Sequence, residues 1–491
     1  MVSMPIRLEV FMNYKLILRI LSRAALIEAF LLIISAAVGA LYGDNLLIPY
    51  GVPVLLLLFT FLVLNRVKLT SRDFFAREGF VSVAMAWIMV SLFGALPFTL
   101  SGAIPSYVDS VFETVSGFTT TGATLLADVE ALPRGLLFWR SFTHWIGGMG
   151  VLVFLLSVTS LAGNRSIHLL RAESPGPAVG KLTPRMRSTA GILYLIYLIM
   201  TILLVVLLLA GGMELFDSVA NAFSIAGTGG FAVRNGGIAV YQSHYIEIIM
   251  TVFMMLFGVN FTVYYLAITK KPLDAIKSEE LRWYIGIFVA ITVAVTINIL
   301  PRCTGLPEAL RLAAFQNASI MSTTGFASTD FNDWPVLSHM LLLLLMFIGA
   351  SAGSTAGGFK VSRFVLLLKS IKREFSRMLH PHSIGHVKFE GKIVETEVSH
   401  GVLVYLGAYV VIAISGILIL SLDGFDSLTN FSALMTTLNN VGPGLSLVGP
   451  MQNFSIYSPF AKIVMSVLML IGRLEIFPIL MLCMPSVWRR K

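Results

Sequence analysis

Charge is scarce in this sequence. Only 12% of its 491 residues are Asp, Glu, Lys or Arg, about half the share of an ordinary soluble domain. Meanwhile 56% are hydrophobic and the mean hydropathy is +0.85. A soluble globular protein is excluded. Cysteine is nearly missing: Cys303 and Cys483 lie far apart with no CxxC spacing, which argues against a disulfide framework or a thiolate metal site. No glycine-rich nucleotide fingerprint occurs, so any nucleotide control must come from a separate subunit and no cofactor is expected in this chain. What is present instead is a series of apolar runs near 20 residues, the length that crosses a hydrocarbon core. The chain reads as an all-α polytopic membrane protein. Its net charge of +9 then concerns where positive charge lies, and no nucleic-acid partner is expected.

Ten spans are expected, near 20–42, 46–64, 79–101, 135–161, 190–212, 243–268, 283–301, 337–371, 398–421 and 459–485. The first follows a basic segment and contains SAAVGA, which imitates a signal-peptidase site. The run is long enough to span, so it reads as a retained helix.

Four interruptions share one pattern. Ser116 to Ala123 reads SGFTTTGA, Ser224 to Phe231 SIAGTGGF, Ser319 to Phe326 SIMSTTGF, and Thr436 to Pro443 TTLNNVGP. In each octad the seventh residue is glycine: Gly122, Gly230, Gly325 and Gly442. Asp109-Ser110-Val111 and Asp217-Ser218-Val219 begin seven residues before their octads, and Asp426-Ser427-Leu428 precedes the fourth. Such repetition fixes architecture. The segments between spans are too short and apolar for soluble domains, and a short pore helix with a re-entrant loop fits them. The reading is four membrane-pore-membrane repeats around a pseudo-fourfold pore: 71–165, 185–272, 280–375 and 396–491. Residues 1–70 form a two-helix extension outside the repeat.

Orientation follows from Lys and Arg. With a cytoplasmic N-terminus, the segments 7–23, 66–77, 165–187, 270–282, 363–392 and 489–491 hold 27 of the 35 basic residues. The octad side instead carries Asp44, Asp109, Asp128, Glu130, Asp217, Glu308, Asp330, Asp333, Asp423 and Asp426. Such acids either concentrate cations at an outer mouth or serve as ordinary loop polarity.

A dehydrated alkali cation needs several oxygen ligands, and rings of backbone carbonyls supply them without formal charge. Glycine permits the dihedrals that turn carbonyls toward an axis. Each short helix would place its partially negative C-terminal end near the ion. The candidate filter comprises Thr120, Thr121, Gly122, Gly229, Gly230, Thr323, Thr324, Gly325, Asn440, Val441 and Gly442, with hydroxyls such as Thr119 and Thr228 beside it. A cation would be held at Thr121, Gly122, Gly230, Thr324, Gly325, Val441 and Gly442.

These octads, with the two motifs that follow, resemble the Trk/Ktr/HKT superfamily of potassium transporters, of the bacterial TrkH/TrkG type, over nearly the whole chain. The resemblance implies four pore units with two extra N-terminal helices, and places the filter glycines on Gly122, Gly230, Gly325 and Gly442. In plant relatives, serine at the first of these positions goes with sodium preference, so Gly122 implies potassium. The fourth loop, NNVGPG, departs most from the others, as it does in the bacterial type. The resemblance also implies an inner-membrane homodimer. Its regulator would be a cytosolic ring of TrkA-type subunits binding NAD(H) and ATP or ADP.

Within the eighth span, Gly349 to Arg363 reads GASAGSTAGGFKVSR. Each glycine costs about 1 kcal/mol in a helix interior, so a broken helix is expected there, against a close-packed small-residue face. The resemblance implies an intramembrane loop that obstructs the path. The candidate gate comprises Gly349, Gly353, Ser354, Thr355, Gly357, Gly358, Lys360 and Arg473. Arg473 lies inside the last span, where a charge needs a cavity or partner. Glu475, two residues on, sits on another helix face. Glu113, three residues before its octad where other copies have Asn221 and Gln316, reads as a loop anchor, and His144 as a packing histidine.

Two other functions compete. A coupled symporter would use inverted repeats and midplane carboxylates, whereas these units share one orientation and midplane acids are nearly absent. A lipid-modifying enzyme would need clustered His, Asp, Glu or Cys. His380, His382 and His386 lack acidic partners and read as a solvated segment. No enzyme activity is expected. The basic segments 163–189, 270–282 and 363–395 are suited to anionic lipids or to a docking regulator.

Overall fold

The computed structural model describes residues 12–68, 76–162, 186–268, 275–381 and 385–488, without the side chains of 76 and 151–190. In chain order the helices are α1 (Tyr14–Leu41), α2 (Leu47–Asn65), α3 (Ala76–Leu100), α4 (Tyr107–Phe118), α5 (Arg134–Ala162), α6 (Met186–Ala210) and α7 (Leu215–Gly227). Then come α8 (His244–Phe257), α9 (Phe261–Ile268), α10 (Glu279–Ile299), α11 (Leu306–Met321), α12 (Val336–Ile348) and α13 (Val361–Leu379). A hairpin, β1 (Lys388–Phe389) with β2 (Lys392–Ile393), pairs Lys388 with Ile393 and Phe389 with Lys392. The chain continues through α14 (Thr396–Leu420), α15 (Ser427–Asn439), α16 (Pro459–Arg473), α17 (Phe477–Cys483) and α18 (Pro485–Trp488).

Six helices among the described residues, α1, α2, α3, α6, α10 and α14, are long and apolar enough to cross a membrane. The pair α8 and α9, bent by 92°, makes a seventh if it is one span. Their outward faces are apolar at helical spacing, as in Leu195, Ile199, Ile202 and Val206 on α6, or Ile285, Val289, Val293 and Ile297 on α10. Contiguous apolar surface of that extent belongs against lipid.

Three of the ten expected spans are interrupted, and the fourth is kinked at Met149. The eighth is broken between Ile348 and Val361, as its glycines predict. The sixth is bent at Gly258–Asn260 and the tenth is broken at Leu474–Ile476, neither of which was expected. Of the basic segments, 165–187 and 489–491 lie largely or wholly outside the described residues, as do parts of 7–23, 66–77, 270–282 and 363–392.

Between long helices sit four short ones: α4, α7, α11 and α15, of 12, 13, 16 and 13 residues. At 1.5 Å per residue they reach roughly 18–24 Å, short of a core about 30 Å thick. Each ends inside its octad, so the first three or four octad residues form the last helical turn. The acidic lead-ins serve their N-termini. Asp426 is the N-cap of α15 and accepts from Leu428 and Thr429 N–H, each at 3.1 Å. Asp109 and Asp217 fall in the first turns of α4 and α7, where negative charge suits the helix dipole.

The N-terminal pair α1 and α2 packs on α3, and α1 also packs on α5. The α1–α5 crossing depends on two glycines: a Cβ on Gly135 would stand 2.9 Å from the Gly39 Cα and 2.8 Å from Leu46 Cδ1. Tyr50 Oη donates to the Gly135 carbonyl at 2.9 Å. Gly135→Val is therefore expected to destabilise the protein by about 1–3 kcal/mol through overpacking. A thermal melt of the detergent-purified protein would read this as a lower midpoint, whereas Gly51→Ala, facing open space, should leave it nearly unchanged.

Candidate functional site

The four octads share one backbone. The fifth residue is left-handed in every copy: Thr120 (φ 55°), Thr228 (57°), Thr323 (56°) and Asn440 (55°). The N–H of the sixth residue then donates to the carbonyl of the first: Thr121 to Ser116, Gly229 to Ser224 and Thr324 to Ser319 at 2.8 Å, Val441 to Thr436 at 3.0 Å. In the first three copies the fifth N–H also bonds the second carbonyl. That pair of bonds is the Schellman C-cap, which accounts for the left-handed residue. Asparagine tolerates this conformation, but threonine is a genuine outlier in it. Backbone held this way persists only where its surroundings over-determine it. The seventh residue again has positive φ: Gly122 80°, Gly230 75°, Gly325 85° and Gly442 102°.

The loops close on one another. A Cβ on Gly122 would overlap the carbonyl oxygen of Gly229, one on Gly230 that of Thr324, and one on Gly325 that of Val441. One on Gly442 would lie 2.7 Å from the carbonyl oxygen of Thr121. Each seventh-position glycine thus rests against the sixth-position carbonyl of the next loop, and the fourth returns to the first. Residues from all four loops line a depression of about 150 Å³ on one side of this ring.

Side chains fasten the loops. Ser224 Oγ donates to Phe231 O at 2.9 Å, and Ser319 Oγ to Phe326 O at 2.6 Å, joining the first and eighth residues of those copies. Asn440 Nδ2 donates to Thr121 Oγ1 at 3.0 Å and to Met469 O at 2.9 Å, tying the fourth loop to the first and to α16. Glu113 anchors the first loop: its carboxylate accepts from Thr124 Oγ1 at 2.9 Å, Leu125 N–H at 3.0 Å and Arg140 Nε at 2.7 Å. Arg140 also donates to Ala232 O at 2.9 Å, and its guanidinium lies 3.6 Å from the centre of the Phe231 ring. This buried pair therefore couples loops one and two. The equivalent positions differ: Asn221 donates to Tyr241 Oη at 3.3 Å, while the Gln316 amide has no partner among the described residues. His144 stacks on Phe231 at 4.2 Å behind Gly229, a packing role.

On the other side of the ring lies the loop joining α12 to α13. It turns at positive φ at Gly349, Gly353, Gly358 and Lys360. Gly357 N–H donates to Thr323 Oγ1 at 2.7 Å, and a Cβ there would overlap the carbonyl oxygen of Asn439, so the loop touches the third and fourth octads. The bend at Gly258–Asn260 receives it: Ser351 N–H donates to Gly258 O and Phe261 N–H to Gly353 O, both at 3.1 Å. Glu280 accepts from Ala352 N–H at 2.7 Å. Thr355 is buried, and Arg473 clasps its carbonyl at 2.6 Å while reaching Gly147 O at 2.6 Å and Gly148 O at 3.1 Å on α5. Lys360 Nζ turns back onto Ala356 O.

Glu475 departs from the expected helix position. The helix ends at Arg473, and Glu475 and Ile476 follow with φ of 59° and 65°, so Glu475 reaches across to pair with Arg363 of α13. The ten acids of the octad side do not line the depression above the ring, where Arg140 and Arg234 are the charged residues. Several are spent locally instead. Asp217 binds Arg234 at 2.9 Å, Asp109 binds Lys462 at 2.9 Å, Asp44 accepts from Gly135 N–H at 2.7 Å, and Asp423 accepts from Ser458 N–H at 2.7 Å. Thr228, expected only as a hydroxyl beside the filter, completes the left-handed set, and Arg140 was not singled out from the sequence. Only its place one helix away from an intramembrane glutamate could have marked Arg140. Among the described residues no group of three or more His, Cys, Asp or Glu side chains is placed to hold a metal ion. His382 lies outside them.

Removing one partner of a buried ion pair leaves the other charge uncompensated, at roughly 3–5 kcal/mol. Glu113→Gln and Arg140→Gln are each expected to lower the unfolding midpoint on that scale. The double variant should lose less than the two singles combined; additive losses in denaturation would contradict a coupled pair.

The matches with known proteins run the length of this architecture. The family model described as TrkH, cation transport protein, matches residues 53–489. The Trk system potassium uptake protein TrkH of Vibrio parahaemolyticus serotype O3:K6 (strain RIMD 2210633) is 35% identical over 488 residues, covering 97% of this chain and 100% of that protein. The Trk system potassium uptake protein TrkG of Escherichia coli (strain K12) is 33% identical over 417 residues, 84% of this chain and 86% of that one. The crystal structure of the potassium transporter TrkH from Vibrio parahaemolyticus superposes with a TM-score of 0.87 at 33% identity, over 97% of this chain and 100% of that one. With apolar helices throughout and a family match across nearly its whole length, this multi-pass membrane protein belongs to the TrkH family of cation transport proteins.

Proposed function

We propose that this chain is the ion-conducting subunit of a bacterial potassium-uptake system, passing dehydrated potassium through the ring of glycine loops. The observation that carries this reading is the closed contact of each loop's glycine with the next loop's carbonyl. Four such loops bring backbone carbonyls together without formal charge, as potassium coordination requires. The ligands would come from Thr121, Gly122, Gly230, Thr324, Gly325, Val441 and Gly442, with Thr120, Gly229, Thr323 and Asn440 shaping the loops. The names of the relatives, Trk system potassium uptake proteins, agree with it. The four long–short–long helix groups would be membrane-pore-membrane repeats about a pseudo-fourfold axis, with α1 and α2 outside them.

In this proposal the segment Gly349–Lys360 is the gate. It lies directly beneath two octads and is held by Arg473. Arg473, half-buried, and Lys360, buried, set two cations below the ring, an electrostatic barrier to a permeating cation. The octads would face the periplasm of an inner membrane. The functional unit would be a homodimer controlled by a TrkA-type nucleotide-binding partner.

Flux into proteoliposomes tests both parts. Wild-type current is expected to reverse at the potassium equilibrium potential; strict dependence on a proton gradient would instead support a symporter. Gly122→Ser forces a side chain against the Gly229 carbonyl and is expected to reduce potassium-over-sodium preference roughly tenfold. An unchanged preference in a folded variant would count against the ring as filter. Arg473→Gln loses charge-assisted bonds worth about 1.5–3 kcal/mol each, so basal flux should rise on the order of tenfold. Replacing Gly353–Gly358 should act in the same direction, and reduced flux in folded protein would argue against a gate.

A further inference from the structure

Helix α13 begins at the end of the intramembrane loop and runs to Leu379. Beyond Ser370 its sides differ sharply. Ile371, Phe375 and Met378, one helical stripe, are exposed, Phe375 by 63% and Met378 by 75%. Lys372, Arg373 and Arg377 form the adjoining stripe. Between that basic side and the hairpin opens a groove of about 640 Å³. Its walls carry Lys369, Lys372, Arg373, Arg377, Lys388 and His386, and no acid. Two of these cations are already engaged: Lys369 pairs with Glu279, and Arg373 with Glu374 at 3.2 Å. Lys372, Arg377 and Lys388 have no ion pair among the described residues.

We infer that this groove is a binding site for the phosphate headgroup of an anionic phospholipid, whose acyl chains lie along the Ile371–Phe375–Met378 stripe. A hydrated surface gives no reason for large apolar side chains at helical spacing beside a basic groove. A lipid interface does: an amphipathic helix buries its apolar face at the acyl boundary while its cations meet the headgroups. A soluble phosphate compound would use the cations and leave the stripe bare. The site lies at the end of α14 remote from α15, where the hairpin enters the bundle. It is built on the helix that carries Lys360 and the Arg363–Glu475 pair. A bound headgroup would therefore bear on the position of α13; that consequence rests on the gate reading, while the binding does not.

Binding is measured directly, so its failure is separable from that of the gate. Full-length protein in detergent is titrated with phosphatidylglycerol, with phosphatidylcholine of the same chain length, and with glycerol 3-phosphate, and adducts are counted by native mass spectrometry. Phosphatidylglycerol is expected to bind at least about tenfold more tightly than either of the others. The exposed pair Lys372→Gln/Arg377→Gln should weaken it by roughly tenfold or more, and Lys372→Arg/Arg377→Lys should restore it. The control pair Arg66→Gln/Lys68→Gln, exposed and remote in sequence from the groove, should leave it within about threefold. Equal binding of phosphatidylcholine, equal loss in the control pair, or glycerol 3-phosphate bound as tightly as the lipid would each overturn the assignment.

Discussion

The contact between a glycine and a neighbouring carbonyl, repeated four times, is the constraint from which the rest of the structure follows. At Gly122, Gly230 and Gly325 there is no room for a Cβ beside the next loop's carbonyl oxygen, and at Gly442 very little. Positive φ at the same positions disfavours other residues a second time. Everything nearby keeps four short irregular segments at that spacing within a membrane. Backbone at such depth must find its partners in the protein or line a cavity. Here the Schellman bonds satisfy part of it and the Ser224, Ser319 and Asn440 side chains more. The Glu113–Arg140 pair braces the seam between loops one and two.

The layer beneath follows the same logic. A twelve-residue irregular segment inside a membrane protein carries many polar backbone groups, each costly if unpaired. Gly349–Lys360 meets that demand by drawing on breaks elsewhere: the bend at Gly258–Asn260 and the end of α16 at Arg473. Three discontinuities in distant parts of the chain are thus one device. Bonds to single side chains, Thr323, Glu280 and Arg473, hold it, together with the buried Ala350, Ala356 and Phe359. Such an arrangement has discrete contacts to release, as a two-state element requires.

How much of this was legible in the sequence depended on whether conformation left a chemical mark. The seventh-position glycines did, because positive φ beside a neighbour demands glycine. The break after Ile348 did as well, through its run of glycines. The left-handed fifth position did not: Thr120, Thr228 and Thr323 are threonines, a residue with no preference for that region, and only the C-cap geometry explains them. The turn after Arg473 was hidden for the same reason, since Glu475 and Ile476 carry its positive φ. Reading through it placed Glu475 on a helix face and missed its pairing with Arg363, 112 positions away. The acids of the octad side left two readings open for a different reason. Composition reports their number, but only contacts reveal that Asp109, Asp217, Asp423 and Asp426 are engaged in ion pairs, a cap and a bond to Ser458.

The central claim is that a bare cation sits inside the ring of the four loops. Anomalous diffraction from crystals soaked in rubidium or thallium addresses it most directly. The account predicts a peak within the ring, coordinated by main-chain oxygens of all four loops and lost in Gly122→Ser. Peaks confined to the acidic side chains of the octad side, with nothing inside the ring at saturating ion concentration, would contradict it.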